Sequence, residues 1–207
     1  DKYYNFCISY KDYETYKRDG ANVDKLLVCP NGAQHRDYHF TEKPLKPSWT
    51  LYLGRIEPRK RQYLYQDIYG VEFVGKYTDT TSFDRNRDCY LGQWEHEYKL
   101  QHVTDYGNMM LLSDGENGTP LVIKEALVAG LGVVVSKYAA HDLDTSLPFV
   151  TVIPDDKWED IEYVQKKLIE NRKISVTMRK EIRQYGVDNF SWQKLVKTYV
   201  ENIEGME

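Results

Sequence analysis

Met109-Met110-Leu111-Leu112-Ser113-Asp114-Gly115-Glu116-Asn117-Gly118-Thr119-Pro120-Leu121-Val122-Ile123-Lys124-Glu125-Ala126-Leu127-Val128-Ala129-Gly130-Leu131-Gly132-Val133-Val134-Val135 is the stretch that decides the fold class. Residues 109–112 form a short apolar run, and 113–120 a polar loop with two glycines. Pro120 then opens a helix over 121–129, and Gly130 ends it. Residues 133–135 form a second apolar run. Both runs are apolar at consecutive positions, so side chains on both faces avoid water. A strand, a helix and a second strand of that kind make one parallel crossover unit.

The same alternation continues on either side. Upstream, the pattern predicts a strand at 49–53, a turn at Gly54-Arg55, a helix over 58–69 and a strand at 71–74 ended by Gly75. A polar loop at 78–87, a third strand at 89–91 ended by Gly92 and a helix over 95–106 follow. Downstream, a strand at 149–153 precedes three helices, over 158–171, 174–187 and 191–203. The first forty residues stand apart. A strand at 5–9, a helix over 10–18 capped by Ser9 and stopped by Gly20, and a strand at 26–29 lead to the turn Pro30-Asn31-Gly32. Residues 35–47 read as a linker. The expectation is an α/β, doubly wound parallel sheet with helices on both faces, in one main domain over 41–207.

Composition narrows the function. The 207 residues are 29% charged and 41% apolar, with a formal charge of −4, so no global field draws nucleic acid or an anionic membrane. Cys7, Cys29 and Cys89 are widely spaced and lie in apolar runs, as buried free thiols do in a reducing compartment. No run approaches the ~18–20 apolar residues that span a bilayer, and Asp1-Lys2-Tyr3 does not read as a signal peptide. A cytoplasmic protein without a transmembrane segment is expected. The histidines are scattered, and no metal-ligand spacing appears.

In a doubly wound sheet, ligands sit beyond the carboxyl ends of the strands. Two loops there carry chemistry. In the first, Gly54 permits a tight turn, Arg55 emerges at the ligand edge, and Lys60 lies about a helical turn further on. Two cations beside free helix-start N–H groups suit a diphosphate; the plainer alternative is a solvated basic helix start. In the second, Gly118 allows close backbone approach, and the N–H groups of Thr119, Leu121 and Val122 around Pro120 are free to face an anion. Glu125 lies in a mostly apolar helix and needs a partner, which two ribose hydroxyls would supply.

Taken in order, these segments resemble the C-terminal, donor-binding domain of retaining glycosyltransferases of the two-Rossmann-domain (GT-B) architecture, most like family 4. Val28-Cys29-Pro30-Asn31-Gly32-Ala33 is similar to the family's interdomain Val-x-Pro-Asn-Gly-Val segment. Gly54-Arg55-Ile56-Glu57-Pro58-Arg59-Lys60 is similar to its Gly-Arg-x-x-x-x-Lys diphosphate loop. Phe73-Val74-Gly75, Tyr90-Leu91-Gly92, Gly118 to Leu127 and Asn189-Phe190-Ser191-Trp192 match four further segments.

The resemblance implies a metal-independent transferase that moves a hexose from a UDP- or GDP-sugar, with retention, to a glycan, lipid or protein acceptor. It implies no bound cofactor, since the nucleotide-sugar is a substrate. Arg55 and Lys60 would hold the phosphates, Glu125 the ribose, and the backbone from Gly118 to Val122 the sugar and β-phosphate. It also implies that residues 1–40 are a remnant of the acceptor domain and its crossing, and that without the rest the chain binds donor but transfers nothing. The family pattern places two glutamates eight positions apart, and here the position eight before Glu125 is Asn117. Either Glu116 swings into that place, or Asn117 fills it as a neutral substitute. Two rival readings stand beside this one: an inert nucleotide-sugar-binding module or partner subunit, and a response-regulator or flavodoxin-like interaction domain.

Overall fold

The computed structural model describes residues 4–78 and 82–205, so Asp1-Lys2-Tyr3 and part of the expected loop at 78–87 lie outside the described residues. Two short parallel strands come first, β1 (Asn5–Cys7) and β2 (Leu26–Val28), linked by helix α1 (Tyr10–Arg18). Ser9 caps α1 as expected, its hydroxyl accepting from the Asp12 N–H at 3.1 Å. The main body follows: β3 (Lys46–Leu53), β4 (Val71–Val74), α2 (His96–His102), β5 (Tyr106–Leu111), α3 (Leu121–Val128), β6 (Gly132–Ser136) and β7 (Val150–Ile153). Three helices close it, α4 (Ile161–Thr177), α5 (Arg179–Phe190) and α6 (Trp192–Glu204).

The five main strands are all parallel, in the order β4-β3-β5-β6-β7. Every residue of β4, β5 and β6 is buried. Successive strand side chains point to opposite faces, so both faces of this sheet are covered. The chain runs outward from β3 to β4, then returns past β3 to β5. The strand order therefore reverses between β3 and β5, which brings the loops after those two strands side by side.

A polar ladder ties α4 to the sheet. Asn171 donates to the carbonyls of Val133 and Phe149 at 3.2 and 3.1 Å and accepts from Asn108 at 2.9 Å. Asn108 in turn accepts from Thr50 at 2.6 Å. Asn171, which sequence reading placed at a helix end, is thus a buried interior residue, and α4 runs on to Thr177.

Three other expectations are corrected. The helix over 58–69 is instead two 3-10 turns, Pro58–Lys60 and Gln62–Leu64, separated by Arg61 in the left-handed region at φ 56°. Arg61 is drawn there by the Trp158 ring, 4.0 Å from its guanidinium carbon, and by Asp114 at 3.4 Å. The third strand at 89–91 is a single bridge from Tyr90 to Phe73 on the edge of β4. The helix over 95–106 stops at His102, because Arg179 takes the carbonyls of Thr104 and Tyr106 at 2.5 and 2.9 Å and draws that backbone toward β5. Cys7 is buried, Cys29 and Cys89 are half-buried, and all three are free thiols. No helix among the described residues is long and apolar enough to cross a membrane.

Candidate functional site

The loops after β3 and β5 meet at the point of strand reversal. Gly75, at φ 153°, passes so close to Gly54 that a Cβ there would lie 2.0 Å from the Gly54 carbonyl oxygen, so only glycine fits. The Asp114 N–H donates to the Arg59 carbonyl at 3.0 Å, and the Arg59 guanidinium returns to the Asp114 carbonyl at 2.9 Å. Two loops from different strands are thereby tied together.

An alternating chain of charges runs along this seam. Glu57 lies 3.9 Å from Arg55 and 3.2 Å from Arg59. Glu116 Oε1 lies 3.0 Å from Arg59 and 3.6 Å from Lys60. The cations that converge are therefore Arg59 and Lys60, not the expected Arg55 and Lys60. Arg55 reaches into solvent with its side chain 64% exposed. Lys60 ends a 3-10 turn, so no helix start exists there; its Nζ folds back over Gly54, and the Tyr52 hydroxyl donates to its carbonyl.

Beside the seam lies a cleft of about 370 Å³, lined by Arg59, Lys124, Asn31, Ile8 and the loop from Gly115 to Leu121. Glu116, Asn117, Gly118, Thr119, Pro120 and Leu121 all face it; Gly54, Arg55, Val122 and Glu125 do not. Of the alternatives for the first acidic position, Glu116 turns onto the cations while Asn117 is exposed. Leu121 and Val122 open α3 and have no intrahelical acceptor for their N–H groups. The Thr119 N–H, expected to face an anion, is already donated to Asp142 at 3.2 Å, and the Asp142 N–H returns to the Thr119 hydroxyl at 3.0 Å.

Glu125 is buried, and it already has a partner. Lys99 of α2 donates to its Oε1 at 2.8 Å, which answers the need that sequence reading assigned to ribose. Tyr38 packs beside it with a hydroxyl that makes no hydrogen bond of good geometry, and burial together with the Glu125 charge holds that phenol well above its ordinary ionisation range. Lys124, one residue away, is also buried. Its ammonium donates to the Asn31 carbonyl at 3.0 Å and lies 3.7 Å from Asp142; burial lowers its pKa, and Asp142 partly opposes the shift.

Sequence reading missed Arg59, Lys99, Lys124 and Asp142. Lys124 left a signal, a lysine inside an apolar helix, and Arg59 sat in a basic triplet too short to read as a tract. Lys99 and Asp142 left none, since only the fold brings them near. Among the described residues, no three His, Cys, Asp or Glu side chains gather in a way that could hold a metal ion. A larger hollow of about 540 Å³, lined by Trp49, Tyr69, Glu72 and Arg87, opens at the amino-terminal end of β4, away from the ligand edge.

The HepE structure from Anabaena with UDP-glucose aligns with a TM-score of 0.72 at 14% identity, over 97% of this chain and 63% of that one. The chain carries the Rossmann-like fold of a GT-B glycosyltransferase domain. Sucrose-phosphate synthase from Thermosynechococcus elongatus matches with a TM-score of 0.69 at 17% identity, over 97% of this chain and 57% of that one. The lipopolysaccharide outer core galactosyltransferase WaaB gives 0.71 at 17% identity, over 99% and 62%. The chain thus spans less than two thirds of each of these three structures. No protein-family profile and no curated protein matches the sequence.

Proposed function

We propose that the chain is the nucleotide-sugar-binding half of a retaining, metal-independent glycosyltransferase that moves a hexose from a UDP- or GDP-sugar to an acceptor. The observation that carries this reading is the convergence of Arg59 and Lys60 on one anionic oxygen at the ligand edge of the sheet. In this reading the donor's diphosphate occupies that seam, with its sugar in the adjoining 370 Å³ cleft. Lys60 and Arg59 offset the charge that grows on the departing diphosphate, and Arg55, held only loosely, swings in to join them. The free N–H groups of Leu121 and Val122 add donors at the start of α3. Glu125 Oε1 stays with Lys99, leaving Oε2 for a ribose hydroxyl.

Retention and independence from metal follow from the motif resemblance, and a cytoplasmic location suits three free thiols. The acceptor and the second wall of the cleft come from another domain, in keeping with a chain that covers 63% of HepE. HepE is recorded with UDP and with UDP-glucose, which makes UDP the first probe.

Calorimetric titration with UDP and GDP tests the reading. Arg55→Ala and Lys60→Ala each weaken binding of the preferred nucleotide by about 1.5–3 kcal/mol, the range for hydrogen bonds to charged groups. Glu125→Gln costs less than either. Unchanged affinities in all three variants would remove the donor from these loops.

A further inference from the structure

Glu116 stands where an anion belongs, and it fits poorly. Its Oε1 is enclosed and lies within ion-pair range of Arg59 and Lys60, yet it accepts no hydrogen bond of good geometry. Charge holds it there rather than directional bonding. A terminal phosphate presents three tetrahedral oxygens and can accept well-aligned bonds from a guanidinium and an ammonium together.

Arg59 is fixed for that task. Its guanidinium is tied to the Asp114 carbonyl at 2.9 Å and to Glu57 at 3.2 Å, so it stays at the cleft mouth when Glu116 moves. The Glu116 segment is the more mobile partner by construction. Gly115 precedes it at φ 69° with open space around it, and Asn117 after it is exposed. Beyond the two ion pairs, its tether is a 3.3 Å bond from the exposed Lys11 ammonium to the Glu116 carbonyl.

We propose that Glu116 is a place-holder anion: the terminal phosphate of a nucleoside diphosphate displaces it from Arg59 and Lys60, and Arg59 is the contact that selects diphosphate over monophosphate. This rests on the donor-site reading above and deepens it. Displacement carries a cost that the isosteric Glu116→Gln variant lacks, because the amide does not compete for the cations. Arg59 matters only to ligands that bring a second phosphate, the β-phosphate of a nucleoside diphosphate or its equivalent in pyrophosphate.

The test is calorimetric titration of the 207-residue chain with UDP, UMP and inorganic pyrophosphate. The proteins are wild type, Glu116→Gln, Arg59→Ala, the double variant, and Glu170→Gln, which removes the same charge at an exposed site on α4. Glu116→Gln tightens UDP and pyrophosphate by about three- to tenfold, equivalent to about 0.7–1.4 kcal/mol. It leaves UMP unchanged, and Glu170→Gln changes none of the three. Arg59→Ala weakens UDP but not UMP, and cuts the gain from Glu116→Gln to the smaller share that comes from freeing Lys60. Four results overturn the inference while leaving the donor site standing: no gain in Glu116→Gln, an equal gain for UMP, an equal gain in Glu170→Gln, or a gain that survives undiminished in the double variant. If wild type and every variant bind neither UDP nor pyrophosphate, the donor reading falls and takes this inference with it.

Discussion

At the scale of single residues, the site is a set of charges withdrawn from water in pairs. Lys99 and Glu125 pair at 2.8 Å, with side chains only 18% and 9% exposed. Removing one partner leaves the other buried and uncompensated, which costs more than the pair itself contributes. Lys99→Met therefore destabilises the fold by about 2–3 kcal/mol, below the ~3–5 kcal/mol of fully buried pairs because Lys99 keeps some solvent. Urea unfolding would check it, and an unchanged midpoint would show that water already serves Glu125. His35 supplies a pH dependence of known sign. Burial lowers its pKa below the ordinary 6.5, and Arg36 and Arg183 lower it further, against a small opposing effect of Asp37. The unfolded chain then binds the proton more readily, so this contribution to stability is present above pH 6.5 and lost as the pH falls through the folded value. His35→Gln makes the acid side of the stability profile shallower; a slope equal to wild type would mean that the imidazole titrates as freely folded as unfolded. Lys60 was legible because it stands in a motif, whereas the motif spacing left Glu116 and Asn117 as alternatives. The Asp142 contact with Thr119 was not legible, because it joins residues 23 apart through a turn without a pattern of its own.

At the scale of elements, what the sequence made visible was periodicity, and what it hid was side chains that override propensity. The runs at 71–74 and 133–135 became strands because consecutive apolar residues suit a sheet covered on both faces. The expected helix over 58–69 failed because Arg61 finds more in Trp158 and Asp114 than in a helical turn. That failure shapes the site: the 3-10 turns bring Arg59, rather than Arg55, beside Lys60. Asn171 misled in the opposite sense, since an asparagine that reads as a helix stop is the residue that binds α4 to β5 and β6. Asn171→Leu keeps the volume but takes one hydrogen bond each from Asn108 and the Val133 and Phe149 carbonyls; Asn108 keeps Thr50 and Leu168, and the Phe149 carbonyl keeps the Val133 N–H, so it costs about 1–3 kcal/mol. Chemical denaturation checks this, and a variant as stable as wild type would mean that the ladder is replaceable by packing.

For the whole molecule, a parallel sheet was legible in the alternating elements, whereas its order β4-β3-β5-β6-β7 emerged only in the structure, and the meeting of the β3 and β5 loops follows from that order. On the proposed function, the domain that completes the cleft was implied by the motif resemblance and not by any pattern of elements within these residues. Positioning two reactants in a closed cleft is worth roughly 7–11 kcal/mol of barrier, and a lone donor site keeps the phosphate contacts but not that positioning. On the proposed function, these 207 residues are expected to bind donor yet transfer no sugar in a radiolabelled-donor assay with a cell-extract acceptor. Transfer at a rate matching a protein that carries both halves would show that the acceptor binds on this domain. The most direct test of the central claim is a crystal structure of the chain with UDP. The account predicts the diphosphate within hydrogen-bonding distance of Lys60 Nζ and Arg59, beside the N–H groups of Leu121 and Val122. UDP seated elsewhere, as in the hollow beside Trp49 and Tyr69, would contradict it.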